Sequence, residues 1–313
     1  MATKRASSKR PATQRAAAAK PSTPPAGCGA DDSTRLPLRL SPSRASDYIS
    51  CPAKFYFKSI LKMASPPTDA QVKGTIAHEA FEKVFDLPRG ERTPEAAVLY
   101  VRPAWKTLRD TGRYEVLTSK GPEFEETMLL SAESLVRSWF GVEDPNKFDP
   151  HGRELKLMAD IGKVPMLGIL DRVDHIEYPD GKKRWVISDY KSGKVPAPDD
   201  RYLQEKFFGL RTYAVLLHEV TGEIPDVLRL VYVAGGTKGS VRRQEVTKQL
   251  LQEHKRFLQE TWRSIQNSAK TGEWQTKKQP LCQWCDHMEA CPAWHPELAG
   301  LEPGDLPGIP TVR

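Results

Sequence analysis

The chain has 313 residues, 39% of them apolar, and a formal charge of +7. No apolar run approaches the ~20 residues that span a bilayer, so a membrane-spanning helix is not expected. Residues 1–35 hold Lys4, Arg5, Lys9, Arg10, Arg15, Lys20 and Arg35 against Asp31 and Asp32, which assigns +5 of the charge to them and +2 to the remainder, so the basic balance does not describe the part that folds.

Residues 1–36 are rich in Ala, Pro, Lys, Arg and Ser and are expected to be a disordered basic arm. Their Arg, Ser and Ala content also resembles a transit peptide, but Pro11, Pro21, Pro24 and Pro25 interrupt any amphipathic helix. No secretory apolar core is present, so a reducing cytoplasmic compartment is expected, nucleoid-associated if prokaryotic, without paired disulfides. Order is expected from Leu38. Ser43 is placed as the cap of a helix carrying Tyr48, Cys51, Phe55 and Ile60 near one face. A second helix carries Ile76, Ala77, Ala80, Phe81 and Val84, and two more are expected around 94–110 and 122–140.

After Pro150 the pattern changes. Three short strands are expected at 153–161, 165–177 and 183–191, turning at Gly162 and at Asp180-Gly181. A helix over Leu203–Val220, a buried strand over Val227–Val233 and a long helix with Leu250, Leu251, His254, Phe257, Leu258, Trp262 and Ile265 on one stripe follow. Helices before and after a small sheet predict an α/β domain over 37–296 with helices on both faces, ending in a flexible tail over 297–313. No Gly-x-x-x-x-Gly-Lys-Ser/Thr loop is present, so no ATP motor is expected.

Two carboxylates stand out: Asp171 in Gly168-Ile-Leu-Asp171, and Asp189 in Asp189-Tyr-Lys191. On adjacent strands of a hairpin they come together. Alternation puts Asp189 and Lys191 on one face of their strand, and Asp171 with Ile169 and Val173 on one face of its own. Such a pair suits a divalent cation against a phosphate, with the Tyr190 carbonyl as a further oxygen and Lys191 orienting a water or neutralising an oxyanion. His78, in Gly74-Thr-Ile-Ala-His78, offers a nitrogen ligand that favours Mn²⁺. Glu154 is a candidate outer carboxylate. Singly, each has a plain alternative: Asp-x-Lys is common on exposed strands, Asp171 could pair with Arg172 at the surface, and a helical histidine is usually packed or solvated. Their joint order raises the functional reading.

Cys282, Cys285 and Cys291 form Cys-x-x-Cys-x5-Cys, with Cys51 far upstream and Cys28 in the arm. Three close thiols plus one distant one fit a cubane iron–sulfur cluster or a tetrahedral zinc, with His287 or His295 as substitute zinc ligands. Either metal would clip the two ends of the domain together, restricting the unfolded chain by roughly 4 to 5 kcal/mol by analogy with a disulfide. Lys54, Lys58, Lys194, Arg201 and Arg211 are candidate phosphate contacts, and Tyr202, Phe207 and Phe208 candidate stacking residues.

This ordered set resembles the RecB-type branch of the PD-(D/E)XK nucleases that carry a four-cysteine iron–sulfur cluster, a group including the CRISPR-associated adaptation nuclease and the nuclease domain of AddB. The resemblance covers about 38–295. It rests on Leu40-Ser-Pro-Ser43 with Tyr48-Ile-Ser-Cys51, on Gly74 to His78, Gly168 to Asp171 and Asp189 to Lys191, and on Pro280 to Cys285 with Cys291-Pro292. It implies a restriction-endonuclease-like core, a small central mixed sheet flanked by helices. It implies a [4Fe-4S] cluster on Cys51, Cys282, Cys285 and Cys291, joining the terminal segments. It implies Mg²⁺ or Mn²⁺ on His78, Asp171 and Asp189, with Lys191 catalytic. The activity implied is exonucleolytic cleavage of DNA, single-stranded or with free ends, in repair or recombination with a helicase or recombination partner. A spacer-acquisition nuclease and a non-catalytic iron–sulfur DNA-binding subunit are the alternatives. One departure is that Gly209 stands where the family has Gln, four residues before Tyr213; Gln204 or Arg211 are candidates to compensate.

Overall fold

Backbone signals divide the chain into many short elements, which the computed structural model describes over residues 36–177, 180–301 and 305–307. The expected basic arm, Cys28 and part of the expected tail lie outside the described residues. The helices are α1 (Pro42–Ser50), α2 (Pro52–Phe55), α3 (Asp69–Lys83), α4 (Pro94–Val98), α5 (Val101–Arg109), α6 (Glu115–Thr118), α7 (Pro122–Val142), α8 (Leu203–Lys206), α9 (Phe208–Thr221) and α10 (Lys248–Thr271). The strands are β1 (Gly152–Ile161), β2 (Val164–Glu177), β3 (Lys183–Lys191), β4 (Val227–Tyr232) and β5 (Val241–Glu245). They form one mixed sheet in sequence order, antiparallel except for β3 beside β4. Among the described residues, no helix is long and apolar enough to cross a membrane.

Several local readings need correction. Ser41, not Ser43, caps α1: its side chain accepts from the Arg44 N–H, and Pro42 fills the first helical position. The expected continuous helix through Cys51 breaks there, because Pro52 disfavours helical backbone at the residue before it; Cys51 is extended, at φ −161° and ψ 115°. The single helix expected from Leu203 divides at Phe207 into α8 and α9. β5, which reads as a charged Arg-Arg-Gln-Glu run, was not expected; it pairs with β4 at the sheet edge. The β1–β2 hairpin turns at Gly162 and Lys163, at φ +56° and +74°, and positive φ at both central residues matches the twist of the strands.

Helices cover both faces of the sheet. On one, Leu40, Phe55, Met166, Leu170, Val173, Ile187, Leu216, Leu258 and Ile265 form a buried cluster under α1, α9 and α10. On the other, Ile76, Phe81, Val136, Trp139, Tyr190 and Val231 pack under α3 and α7. Inside the second layer lies a charge network. Arg172, 1% exposed, forks onto both Glu143 oxygens at 2.9 and 3.0 Å and donates to Asp174 at 2.9 Å and to the Tyr190 phenol oxygen. Arg229 and the Trp139 indole N–H also donate to Glu143. Burial opposes ionisation of Glu143, but the two guanidinium groups outweigh it and hold the carboxyl well below its usual range. Arg172 is thus a core residue, not half of a surface pair with Asp171.

Removing Glu143 leaves two buried cations facing each other. Glu143→Ala is expected to cost about 3–5 kcal/mol, read as a lowered urea midpoint. A second expectation concerns His254 on α10, which hydrogen-bonds the Thr212 hydroxyl of α9 at 2.9 Å. Burial, then the charge of Arg211, push its pKa down to about 4. The unfolded chain therefore takes up this proton at a higher pH than the folded one, and stability falls as pH drops from about 6.5 towards 4, by on the order of 3 kcal/mol. Unfolding of His254→Gln over that range should lack this component of the wild-type slope.

Candidate active site

The strand register brings the acids together. Arg172 opposite Ser188 sets Asp171 across from Asp189, and the pairs Arg153–Arg172 and Leu155–Leu170 bracket Glu154 across from Asp171. The three carboxylates form a row across β1, β2 and β3. Simple alternation fails here. Leu170 and Val173 join the same buried cluster, while Ile169 is 43% exposed, so the inward face of β2 switches parity beside Asp171. The unbroken face expected through Ile169, Asp171 and Val173 is therefore interrupted. The opposite residue, Glu154, has left-handed backbone at φ +43°.

His78 reaches this row from α3. That helix starts with a capping box between Thr68 and Gln71 and turns Ile76, Ala77, Ala80 and Phe81 inward. His78 Nδ1 lies 3.4 Å from Asp171 Oδ2, and Nε2 lies 3.1 Å from the Tyr190 carbonyl oxygen. The Tyr190 N–H donates to the same Asp171 oxygen at 2.8 Å. Gly74 lets the helix approach the loop after β3, since a β-carbon there would stand 3.3 Å from Ser192 Oγ.

The electrostatics are those of crowded negative charge. Burial, then Asp189, raise the pKa of Asp171 despite His78, the Tyr190 N–H and Lys191. Glu154 is pushed up to about 7 by partial burial, then by Asp171, Glu82, Glu79 and Asp189. Its outer side is exposed, so screening tempers this shift. Burial would lower Lys191, but Asp189, with Nζ 2.5 Å from Oδ2, outweighs it and the ammonium is stabilised. Even so, Asp189 Oδ2 is buried without a well-directed hydrogen bond. An imidazole, carboxylates and a carbonyl oxygen, one carboxylate oxygen underused, form a donor set that fits a hard or borderline divalent cation.

One atom from each of His78, Glu154 and Asp171 lies within 4.8 Å of the others. Asp189 stands beside this trio. Tyr213 of α9 is half-buried next to the acids, whose charges add to burial in raising its pKa. A β-carbon on Gly168 would stand 2.9 Å from the Tyr213 ring and from Leu216 Cδ2, so the glycine of Gly-x-x-Asp is the seat of α9. Gln204 and Arg211 bond each other, and both bond Gln244 of β5, Arg211 at 2.8 Å and Gln204 at 3.0 Å. Space around Gly209 is open.

The four described cysteines are free thiols and all line one cavity of about 280 Å³, with Phe57, Trp284, His287 and Trp294 also in its wall. Burial, then Cys51 and Cys285, contribute to raising the pKa of Cys291. His287 is 2% exposed there, whereas His295 sits 3.2 Å from Glu297. Among the described residues, no three of these sulfurs and imidazoles converge within 4.8 Å. Of the candidate nucleic-acid contacts, Lys54 and Lys58 pair with Asp47 at 2.9 and 3.0 Å, Phe207 is buried, and Phe208 packs against His254 and Phe257. Lys194, Arg201 and Tyr202 are exposed, with the Arg201 guanidinium 4.6 Å from the Tyr202 ring centre.

Proteins already known are similar to this chain. It is 25% identical over 201 residues to an ATP-dependent helicase/deoxyribonuclease subunit of Carboxydothermus hydrogenoformans, a match covering 58% of this chain and 18% of that protein. A crystal structure of a protein from Eubacterium rectale named as a putative exonuclease superposes with a TM-score of 0.49 at 16% identity, covering 80% of this chain and 88% of that one. The mixed sheet flanked by helices is the restriction-endonuclease-like core, and with the family model matching residues 39–292 the chain belongs to the PD-(D/E)XK nuclease superfamily.

Proposed function

We propose that the chain is a divalent-metal-dependent exonuclease that hydrolyses phosphodiester bonds of DNA, with single strands or free ends as substrate. The observation that carries this reading is the convergence of His78, Asp171 and the Tyr190 carbonyl, with Asp189 and Lys191 alongside. In this reading His78, Asp171, Asp189 and the Tyr190 carbonyl hold Mg²⁺ or Mn²⁺. The cation supplies a lowered water pKa and compensation for charge growing on the phosphate. Asp189 keeps Lys191 protonated and aimed, so Lys191 stabilises the developing oxyanion and orients the water rather than removing a proton at neutral pH. Tyr190 presents its N–H and carbonyl to opposite partners and fixes the angle between Asp171 and His78. Tyr213 screens the acids from the α9 side.

The cysteine cavity supports a [4Fe-4S] cluster on Cys51, Cys282, Cys285 and Cys291. Four sulfurs ~2.3 Å from a single zinc would lie about 4 Å apart. Here the four cysteines line one cavity and no three of their sulfurs lie within 4.8 Å of one another, which leaves room for a group larger than a single ion. The four thiols are part-buried and come from both ends of the folded region, which suits a structural clip. Lys194, Arg201 and Tyr202 are the exposed candidates for strand contact. The curated relative's name joins a helicase to a deoxyribonuclease, and we take a helicase or recombination protein as partner, in repair or recombination in the cytoplasm. The intact acid and lysine set disfavours a non-catalytic subunit.

End-labelled single- and double-stranded DNA incubated with Mn²⁺ or Mg²⁺ tests the reading. Asp189→Ala and Lys191→Ala should each lose at least ~10²-fold in rate, while anaerobically prepared protein keeps its brown colour. Undiminished degradation by Asp189→Ala would remove the site assignment. A colourless protein binding stoichiometric zinc would remove only the cluster.

A further inference from the structure

We propose that Glu154 of β1 is a direct ligand of the divalent cation held by His78 and Asp171, so that the site draws on a third strand. This assignment rests on the metal-dependent reading above and adds a residue to it.

Three observations carry it. First, one carboxylate oxygen of Glu154 lies within 4.8 Å of the donor atoms of both His78 and Asp171, a convergence that Asp189 does not share. Second, its backbone departs from the strand. Glu154 has φ +43° inside β1, a region that a β-carbon disfavours and that glycine enters freely. The register on either side continues without an inserted residue, from Arg153–Arg172 to Leu155–Leu170. The deviation therefore re-aims one side chain rather than shifting the strand, and the place where it occurs is opposite Asp171. Strain of this kind persists where the surroundings over-determine it, commonly at functional sites.

Third, the carboxylate has no protein partner. Among the described residues, no hydrogen-bond donor and no Lys or Arg pairs with Glu154. Its neighbour Arg153 turns away to the Glu82 carbonyl and Asp86. The charges around Glu154 are those of Asp171, Glu82, Glu79 and Asp189, all negative. Such a group, open to water on its outer side and held against its own backbone preference beside an imidazole and a carboxylate, stands where a bound cation would offset the repulsion. With one nitrogen and several oxygens the set suits Mn²⁺ at least as well as Mg²⁺.

Binding of Mn²⁺ to the full chain, followed by electron paramagnetic resonance of free Mn²⁺ without any nucleic acid, decides the matter. Wild type, Asp171→Asn, Glu154→Gln and Glu154→Gly are compared, with melting curves in metal-free buffer. Asp171→Asn and Glu154→Gln should each weaken Mn²⁺ by ~10-fold or more, with Glu154→Gln melting as wild type does. Glu154→Gly should weaken Mn²⁺ equally while melting about 2 °C higher, its backbone strain relieved. Wild-type affinity in Glu154→Gln alongside loss in Asp171→Asn would overturn the role of Glu154 alone. Wild-type affinity in Asp171→Asn would overturn the metal reading itself. Should Glu154→Gln fail to fold, the affinity of Glu154→Gly decides in its place.

Discussion

The fork between Arg172 and Glu143 is the constraint from which the site's geometry follows. Two charges taken out of water gain little net stability over apolar residues of similar shape, but each becomes very costly to strand. The end of α7, β2, β3 and β4 are therefore locked to one another: Glu143 follows α7, Arg172 and Asp174 are on β2, Tyr190 and Ser188 on β3, and Arg229 on β4. Tyr190 is held at two ends. Its phenol oxygen is fixed by Arg172 deep in the α3–α7 layer, and its ring packs on Phe81 and Trp139. Its peptide groups meet Asp171 and His78 at the sheet surface. A specific interior sets the spacing of a crowded acidic exterior.

That exterior concentrates like charge. Asp171, Asp189 and Glu154 share one row, and burial, then their mutual repulsion, raises the cost of ionising Asp171 and Glu154. Lys191 offsets part of it. Beside the row, Tyr213 of α9 rests on Gly168. Glycine at that position is thus a matter of close helix–strand approach.

The two ends of the folded region meet apart from the acidic row. Trp274, after α10, stacks on Tyr56 at 5.2 Å and on Phe55 at 5.8 Å, and Gln279 donates to Ser50 at 3.0 Å. These contacts bring the break at Cys51 beside Cys282, Cys285 and Cys291 without needing a bound group. The cysteine cavity is assembled by aromatic packing, and any metal there would close a junction the chain already favours.

Much of this was legible in residue order. Periodicity, the turn glycines and β-branched runs marked four of the five strands and the long helices, because burial on one face leaves a repeat that survives in one dimension. Motif order marked His78, Asp171, Asp189 and Lys191, because each chemistry admits few side chains. β5 escaped notice since an edge strand faces water and keeps no apolar alternation. The Cys51 break was written in Pro52, a local steric signal. Arg172 read as half of a surface pair and Glu143 and Arg229 drew no reading, since nothing nearby in the chain distinguishes a buried ion from a solvated one: the partner that makes burial tolerable comes from another element. The same holds for the parity switch at Asp171 and for the backbone reversal at Glu154, a residue that the sequence marked only as an outer carboxylate. Residue order determined which chemical groups are present and which elements bear them. Register, backbone reversal and the desolvated charge network, all properties of segments distant in sequence, decided which of those groups meet.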